Sequence, residues 1–219
     1  MKNIDKDVLK VISVLDKIPT YYHEVSQRVP YYNMAATLTD AVLQAGMNYK
    51  NVVYPRICNI LTKYEDYKTT CDFIILFQTI PIQKIINWKN VSKQQSICEL
   101  AWVLYEQKVE NEDDLAHWIH NESNQERLLS IKGIGYKTVD YLKLLSGQEA
   151  IPIDRHMFQF LDMANVVVSG YKEASRVLCN VAKMLKISES ALDKIIWEYM
   201  SNNDIKQLNI QDVFGVELI

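Results

Sequence analysis

The chain is poor in glycine and proline, with six and five in 219 residues. Long stretches therefore run without a breaker, and few glycine-dependent turns can be built. Cysteine is scarce as well. Cys58, Cys71, Cys98 and Cys179 lie far apart with no CxxC pair. That spacing argues against a disulfide framework, a zinc knuckle or a cluster-binding loop, and leaves reduced, mostly buried thiols as the expectation. No apolar run approaches the ~20 residues that cross a bilayer, and the segment from Met1 to Lys6 is charged, with no signal-peptide apolar stretch. A soluble, intracellular, cytoplasmic protein with no membrane partner is expected. A basic excess is missing too, since 24 Lys and Arg against 27 Asp and Glu give a net charge of −3. Phosphate binding usually shows as surplus positive charge, so any nucleic-acid surface here has to be a local stripe.

What is present is helical spacing. Hydrophobic residues make up 48% of the chain, enough for a packed core. Leu38, Val42 and Ala45 share one stripe, as do Val53, Ile57 and Ile60. Val177, Leu178, Val181 and Leu185 make a third, and Leu192, Ile195, Ile196 and Tyr199 a fourth. Ser92 to Gln95 reads as a capping box ahead of Ile97 and Leu100. The run Phe73–Phe77 fits a strand or a buried helix equally. The pattern predicts an all-α fold of about ten helices. Punctuation divides it into a helical domain over 31–146 and a second over 1–30 plus 147–219, with the tail after Ser201 left open.

The most informative stretch is Leu128-Leu-Ser-Ile-Lys-Gly-Ile-Gly-Tyr-Lys-Thr-Val-Asp-Tyr-Leu142. Gly133-Ile134-Gly135 sits between two helical patterns, where glycine permits a tight turn and close backbone approach. Ile131 and Ile134 can tuck inward and tie the helices together. Amides around Gly133–Lys137 then point outward at a helix N-terminus, where partial positive charge favours a phosphate. Lys132 and Lys137 add charge at the same end. Such a hairpin grips the DNA backbone and reads no base sequence. The plain alternative is a helix corner with a glycine C-cap. The whole string resembles the helix-hairpin-helix DNA-binding motif.

Downstream, Ser146-Gly-Gln-Glu-Ala-Ile-Pro-Ile-Asp-Arg-His-Met-Phe158 places a glycine, a proline and then Asp154 after the hairpin. With the hairpin, this resembles the helix-hairpin-helix DNA glycosylase superfamily, which includes endonuclease III. Leu38–Gly46, Asn90–Gln95 and Ile187–Tyr199 are similar to further helices of that family. The resemblance implies two helical domains with DNA in a cleft between them, double-stranded DNA with a damaged base as partner, and a monomer. It implies that Asp154 faces a flipped nucleotide and that lysine at position 137 marks members that also cut the backbone. Tyr136, Lys132, Gly133, Ile134, Gly135, Arg155 and His156 then fall on the DNA-binding side. Asp40 falls where adenine-excising relatives hold a catalytic acid, beside Gln44, Gly46 and Asn48 as candidates for the wedge that fills the gap. Asp40 and Gln44 share a helix face away from the apolar stripe, so a solvated aspartate is the plain alternative.

The chemistry suits these types. Asp154 can stabilise charge developing on the sugar and accept a proton. Lys137 can attack C1′ once neutral, which needs desolvation or a neighbouring cation such as Lys132 or Arg155. Asp154 as a helix N-cap is compatible with that role. No cofactor is required. Iron-sulfur members carry four clustered cysteines near the C-terminus, and this chain has only Cys179 there, so no cluster is expected. A monovalent cation at the hairpin is a candidate. His117, His120 and His156 show no metal-ligand spacing. The pairs Tyr21-Tyr22 and Tyr31-Tyr32 could stack on bases, although core edges are the commoner use. The leading expectation is a glycosylase with lyase activity on an oxidised base. A monofunctional glycosylase using water activated by Asp154, and a non-catalytic DNA-binding protein, are the alternatives.

Overall fold

The computed structural model describes residues 4–18 and 29–214, with side chains from 5 to 18 and from 29 to 201. Every regular element among them is helical: twelve α-helices and one π-helical turn. The count exceeds the expected ten because α5 (Ile82–Ile85) and the π turn (Tyr49–Val53) are too short to show a period in sequence. No described helix is long and apolar enough to cross a membrane. The described chain divides into two compact units, Gln27–Ala150 and Met1–Ser26 with Ile151–Ile219.

In the larger unit the ambiguous run Phe73–Phe77 is helical, within α4 (Thr70–Thr79). Thr69 and Asp72 decide it. The Thr69 hydroxyl accepts from the Asp72 amide and the Asp72 carboxylate from the Thr69 amide, both at 3.0 Å, so a capping box starts a helix there. The box expected at Ser92 does not form. Helix α6 (Val91–Glu106) begins two residues earlier than that box would start it, and its cap is Asn90, which accepts from the Lys93 amide at 3.0 Å. Ser92 is already inside the helix, past the position where its side chain could satisfy a first-turn amide.

Helix α2 (Met34–Leu43) is buried at every residue. It packs against α3 (Tyr54–Lys63), α4, α6 and α9 (Tyr136–Leu145), which leaves it no solvent face. Its N-terminus is held from outside the helix. Glu112, opening α7 (Glu112–Ile119), accepts from the Asn33 amide at 3.0 Å and the Thr37 hydroxyl at 2.6 Å. A carboxylate is favoured there because the α2 dipole presents its positive end. Glu112→Ala strands two buried donors, and a loss of about 2–4 kcal/mol in chemical denaturation is expected.

The smaller unit is built from α1 (Ile4–Leu15), α10 (Arg155–Met163), α11 (Tyr171–Leu185) and α12 (Glu189–Phe214). Val8, Val11 and Leu15 on α1 join a buried cluster with Val177, Leu178 and Val181 on α11 and with Phe160 on α10. Lys10 ties α1 to the loop after α10 by donating to the Asn165 carbonyl at 3.0 Å. The C-terminal segment whose structure the pattern left open continues α12 to Phe214.

Candidate functional site

Helix α8 (Glu122–Ser130), the turn 131–135 and helix α9 form a hairpin. Ile131 and Ile134 anchor it, at 2% and 6% exposure, and the Ile134 amide donates to the Ile131 carbonyl at 3.0 Å. Gly133 has φ +89°, a region that side chains disfavour. A Cβ there would lie 2.7 Å from the Ser96 hydroxyl. Ser96 is buried and donates to the Lys132 carbonyl at 2.7 Å, so it cannot give way cheaply. Gly133→Ala is expected to cost about 1–3 kcal/mol in thermal denaturation, from the conformation and the clash together.

The outer side of the turn is open. Lys132, Gly133, Gly135 and Tyr136 are exposed, Tyr136 at 42%, and Lys137 is half-buried in the first turn of α9. Helices α2, α4, α6, α7, α8 and α10 are each capped by an Asn, Thr or Asp side chain. The N-cap of α9 is Gly135, which has no side chain to offer its first-turn amides. The positive end of the α9 dipole thus coincides with the exposed, lysine-bearing face of the turn.

Behind this face the structure corrects one expectation and adds a residue. Asp40 does not stand on a solvated face. It is fully buried on α2 and accepts from the Tyr31 hydroxyl at 2.7 Å, with the Tyr49 hydroxyl 3.3 Å from that of Tyr31. The heptad-like stripe misled because α2 is enclosed on all sides, so its polar residues also point into protein. Gln44, one turn on, donates to the Tyr141 hydroxyl, itself one turn beyond Lys137 on α9. Gly46 is exposed at φ +83° with open space around it. Asn48 is exposed, and its side chain accepts from the Asn51 amide at 2.9 Å as the cap of the π turn. Tyr32 is exposed, while Tyr21 and Tyr22 lie outside the described residues.

The added residue is Lys93. Its amine donates to the carbonyls of Val42 at 2.5 Å and Ala45 at 3.0 Å, at the end of α2. Burial pushes the Lys93 amine below its ordinary range, and the positive charge of Lys137 pushes it further. A cation that feels the Lys137 charge is thus one that the sequence did not bring forward. Its only sequence signal was membership of the Asn90–Gln95 segment, because contact with α2 spans some fifty residues of chain.

Asp154 belongs to the other unit. It is the N-cap of α10 and accepts from the amides of His156 at 2.8 Å and Met157 at 3.2 Å. Its position is fixed further by Ile153, whose amide donates to the Tyr171 hydroxyl at 3.1 Å. Arg155 is exposed. His156 is buried, its ring edge-on to Trp197 at 6.4 Å between centroids. His117 sits against the Asp113 carbonyl at 2.7 Å. All four cysteines are half-buried, less enclosed than expected, and burial pushes the Cys98 thiol up. Among the described residues no group of three His, Cys, Asp or Glu could hold a metal ion.

No curated protein matches the sequence. Among solved structures, the fold is similar to the crystal structure of the 8-oxoguanine DNA glycosylase of Thermotoga maritima. The TM-score is 0.52 at 12% identity, over 89% of this chain and 86% of that one. At that identity the likeness is one of fold. A family model described as a domain of unknown function, DUF8548, matches residues 14–201. That span takes in both the hairpin and Asp154, and the chain belongs to the DUF8548 family.

Proposed function

We propose that the protein is a base-excision DNA glycosylase with lyase activity, acting as a monomer on an oxidised base in duplex DNA. One observation carries the reading. A hairpin with an exposed, glycine-capped helix N-terminus places Lys137 in its first turn, on a fold shared with an 8-oxoguanine DNA glycosylase. Lys132, Gly133, Gly135 and Tyr136 would hold a phosphate at that end, through backbone amides and charge, while Ile134, its amide given to the Ile131 carbonyl, anchors the turn from inside. Arg155, exposed next to Asp154, would lie along the DNA, whereas His156, expected there too, is buried against Trp197 and points into its own unit.

The chemistry balances without a cofactor. The neutral Lys137 amine attacks C1′ of a flipped nucleotide, and the bond from C1′ to the base breaks with its electron pair leaving on the base. Asp154 stabilises the positive charge developing on the sugar and takes the proton that the amine gives up. Ring opening leaves an iminium between Lys137 and C1′. Loss of a C2′ proton then expels the 3′ phosphate, and water frees the lysine. A monovalent cation would sit on turn carbonyls, of which those of Ile131 and Lys132 already accept bonds from the Ile134 amide and the Ser96 hydroxyl. No step depends on it. Asp40 is held in the interior by Tyr31, which supports a structural part for it and not that of an acid.

The test is borohydride trapping on a duplex carrying 8-oxoguanine, with free base and strand nicking scored separately. A covalent complex and a nicked strand are expected. Base release without trapping would replace the lyase by an enzyme in which Asp154 activates water. Binding with no base release from any oxidised lesion would leave only a DNA-binding protein.

A further inference from the structure

A chain with a net charge of −3 has to gather its cations wherever it meets phosphate, and three segments of the larger unit do so. Residues 41–64, 73–98 and 127–139 hold nine of the 24 Lys and Arg and none of the 27 Asp and Glu. The rest of the chain therefore carries the whole negative balance. These segments lie apart in sequence, but the fold fastens them together. The Lys93 amine donates to the carbonyls of Val42 at 2.5 Å and Ala45 at 3.0 Å, which joins the second segment to the first. Ser96 donates to the Lys132 carbonyl and joins the second to the hairpin. Arg56 makes a further joint between the first two. Its guanidinium lies 4.7 Å from the centroid of the Trp88 ring, and its Nε donates to the Asn87 carbonyl at 3.0 Å, while Nη1 donates to that of Val52.

Around the Arg56 joint the surface is cationic and open. Lys50 in the π turn, Lys84 on α5 and Lys89 beside Trp88 are all exposed. Among the described residues none of these three lysines has an ion-pair partner. Arg56 itself is half-buried with its guanidinium engaged, so it holds the joint and offers no contact outward. Of the acids that bound the first two segments, Asp40 is buried against Tyr31 and Asp72 is engaged in the α4 cap. Glu65 follows the far end of α3, and Glu99 lies two turns into α6. We propose that Lys50, Lys84 and Lys89 form a second phosphate-contact site for duplex DNA, linked through α6 to the hairpin. This rests on the reading of the protein as DNA-binding, and not on its base-excision chemistry. Phosphate contacts carry no base sequence but fix register and orientation on the duplex. The hairpin alone is one grip about which the duplex can turn, and a second grip removes that freedom.

The measurement is binding of the full chain to an undamaged duplex of about 20 base pairs, by fluorescence anisotropy over roughly 0.05 to 0.3 M salt. The triple variant Lys50→Gln, Lys84→Gln, Lys89→Gln is expected to bind roughly tenfold more weakly than wild type at about 0.1 M salt. Its slope of log affinity against log salt is expected to be shallower by about 2 to 3, close to one for each lost phosphate contact. Lys68, Lys183 and Lys194 are exposed lysines outside these segments and supply the control. Changing those three to Gln alters the net charge equally and is expected to leave the slope within about 0.5 of wild type. Equal losses in the two triple variants, or an unchanged slope in the first, would overturn the inference, as would a wild type that does not bind the duplex. Should the first variant fail to fold, Lys89→Gln alone replaces it, with a slope change of about 1 expected and none overturning the site. Base release from an 8-oxoguanine duplex, scored on the same proteins, keeps the two ideas apart. If wild type releases no base but the slopes separate as expected, the glycosylase reading fails and the second grip stands.

Discussion

Lys137→Ala is expected to form no borohydride-trapped complex on an 8-oxoguanine duplex, at any enzyme concentration that saturates wild type. Trapping reduces an iminium to a stable amine, and without the lysine no iminium forms. Strand nicking is lost with it. Base release falls by about three decades, equivalent to about 4 kcal/mol of transition-state stabilisation. The fold survives the change, because position 137 lies half-buried in a first helical turn and alanine is the best helix former there. The substitution also removes the repulsion felt by Lys93, so stability is expected to stay within about 0.5 kcal/mol of wild type. Lys137→Arg refines the result. It keeps a cation for phosphate but offers no amine for a Schiff base, so DNA affinity persists while trapping disappears. Trapping that survives in Lys137→Ala at the wild-type rate would move the nucleophile to another amine.

The second large effect is at Asp154. Asp154→Asn is expected to lower base release by about two to three decades with little change in melting temperature. The two consequences separate because the cap needs only an acceptor. Asn supplies a side-chain oxygen to the amides of His156 and Met157 as Asp does, and the two types are about equal as N-caps. What Asn lacks is the negative charge and the capacity to take a proton. Asp154→Ala removes both and adds a cap loss of about 1 kcal/mol. If Asp154→Asn releases base at the wild-type rate while Asp154→Ala only melts earlier, Asp154 is a cap and nothing more.

These experiments bear on residues that differ in how far the sequence announces them. The hairpin is written in consecutive residues. Two glycines, two inward isoleucines and two lysines lie within seven positions, and the local chain follows from backbone freedom and one turn of helix. Asp154 is similarly local, since an N-cap is satisfied by amides two and three residues on. The helical class followed from spacing and from the scarcity of breakers, because a 3.6-residue period is a property of a segment by itself. Even the start of α4 was present locally, in a Thr–Asp pair three apart.

Asp40 and Lys93 are the opposite case. In isolation each is a charged residue on an amphipathic helix, for which solvent is the ordinary destination. Only the packing of α3, α4, α6 and α9 around α2 turns Asp40 inward to Tyr31. Only the approach of α6 to the end of α2 brings Lys93 to the Val42 and Ala45 carbonyls and within reach of the Lys137 charge. Ser96 against Gly133 is likewise a contact across 36 or more residues of chain. By itself, the sequence determined the helices, the glycine turn, and the placement of Lys137 and Asp154 at helix starts, since each depends on neighbours a few residues away. The tertiary structure alone decided which charges are buried and that Lys93 feels the charge of Lys137, since burial and long-range electrostatics depend on helices that chain order does not bring together.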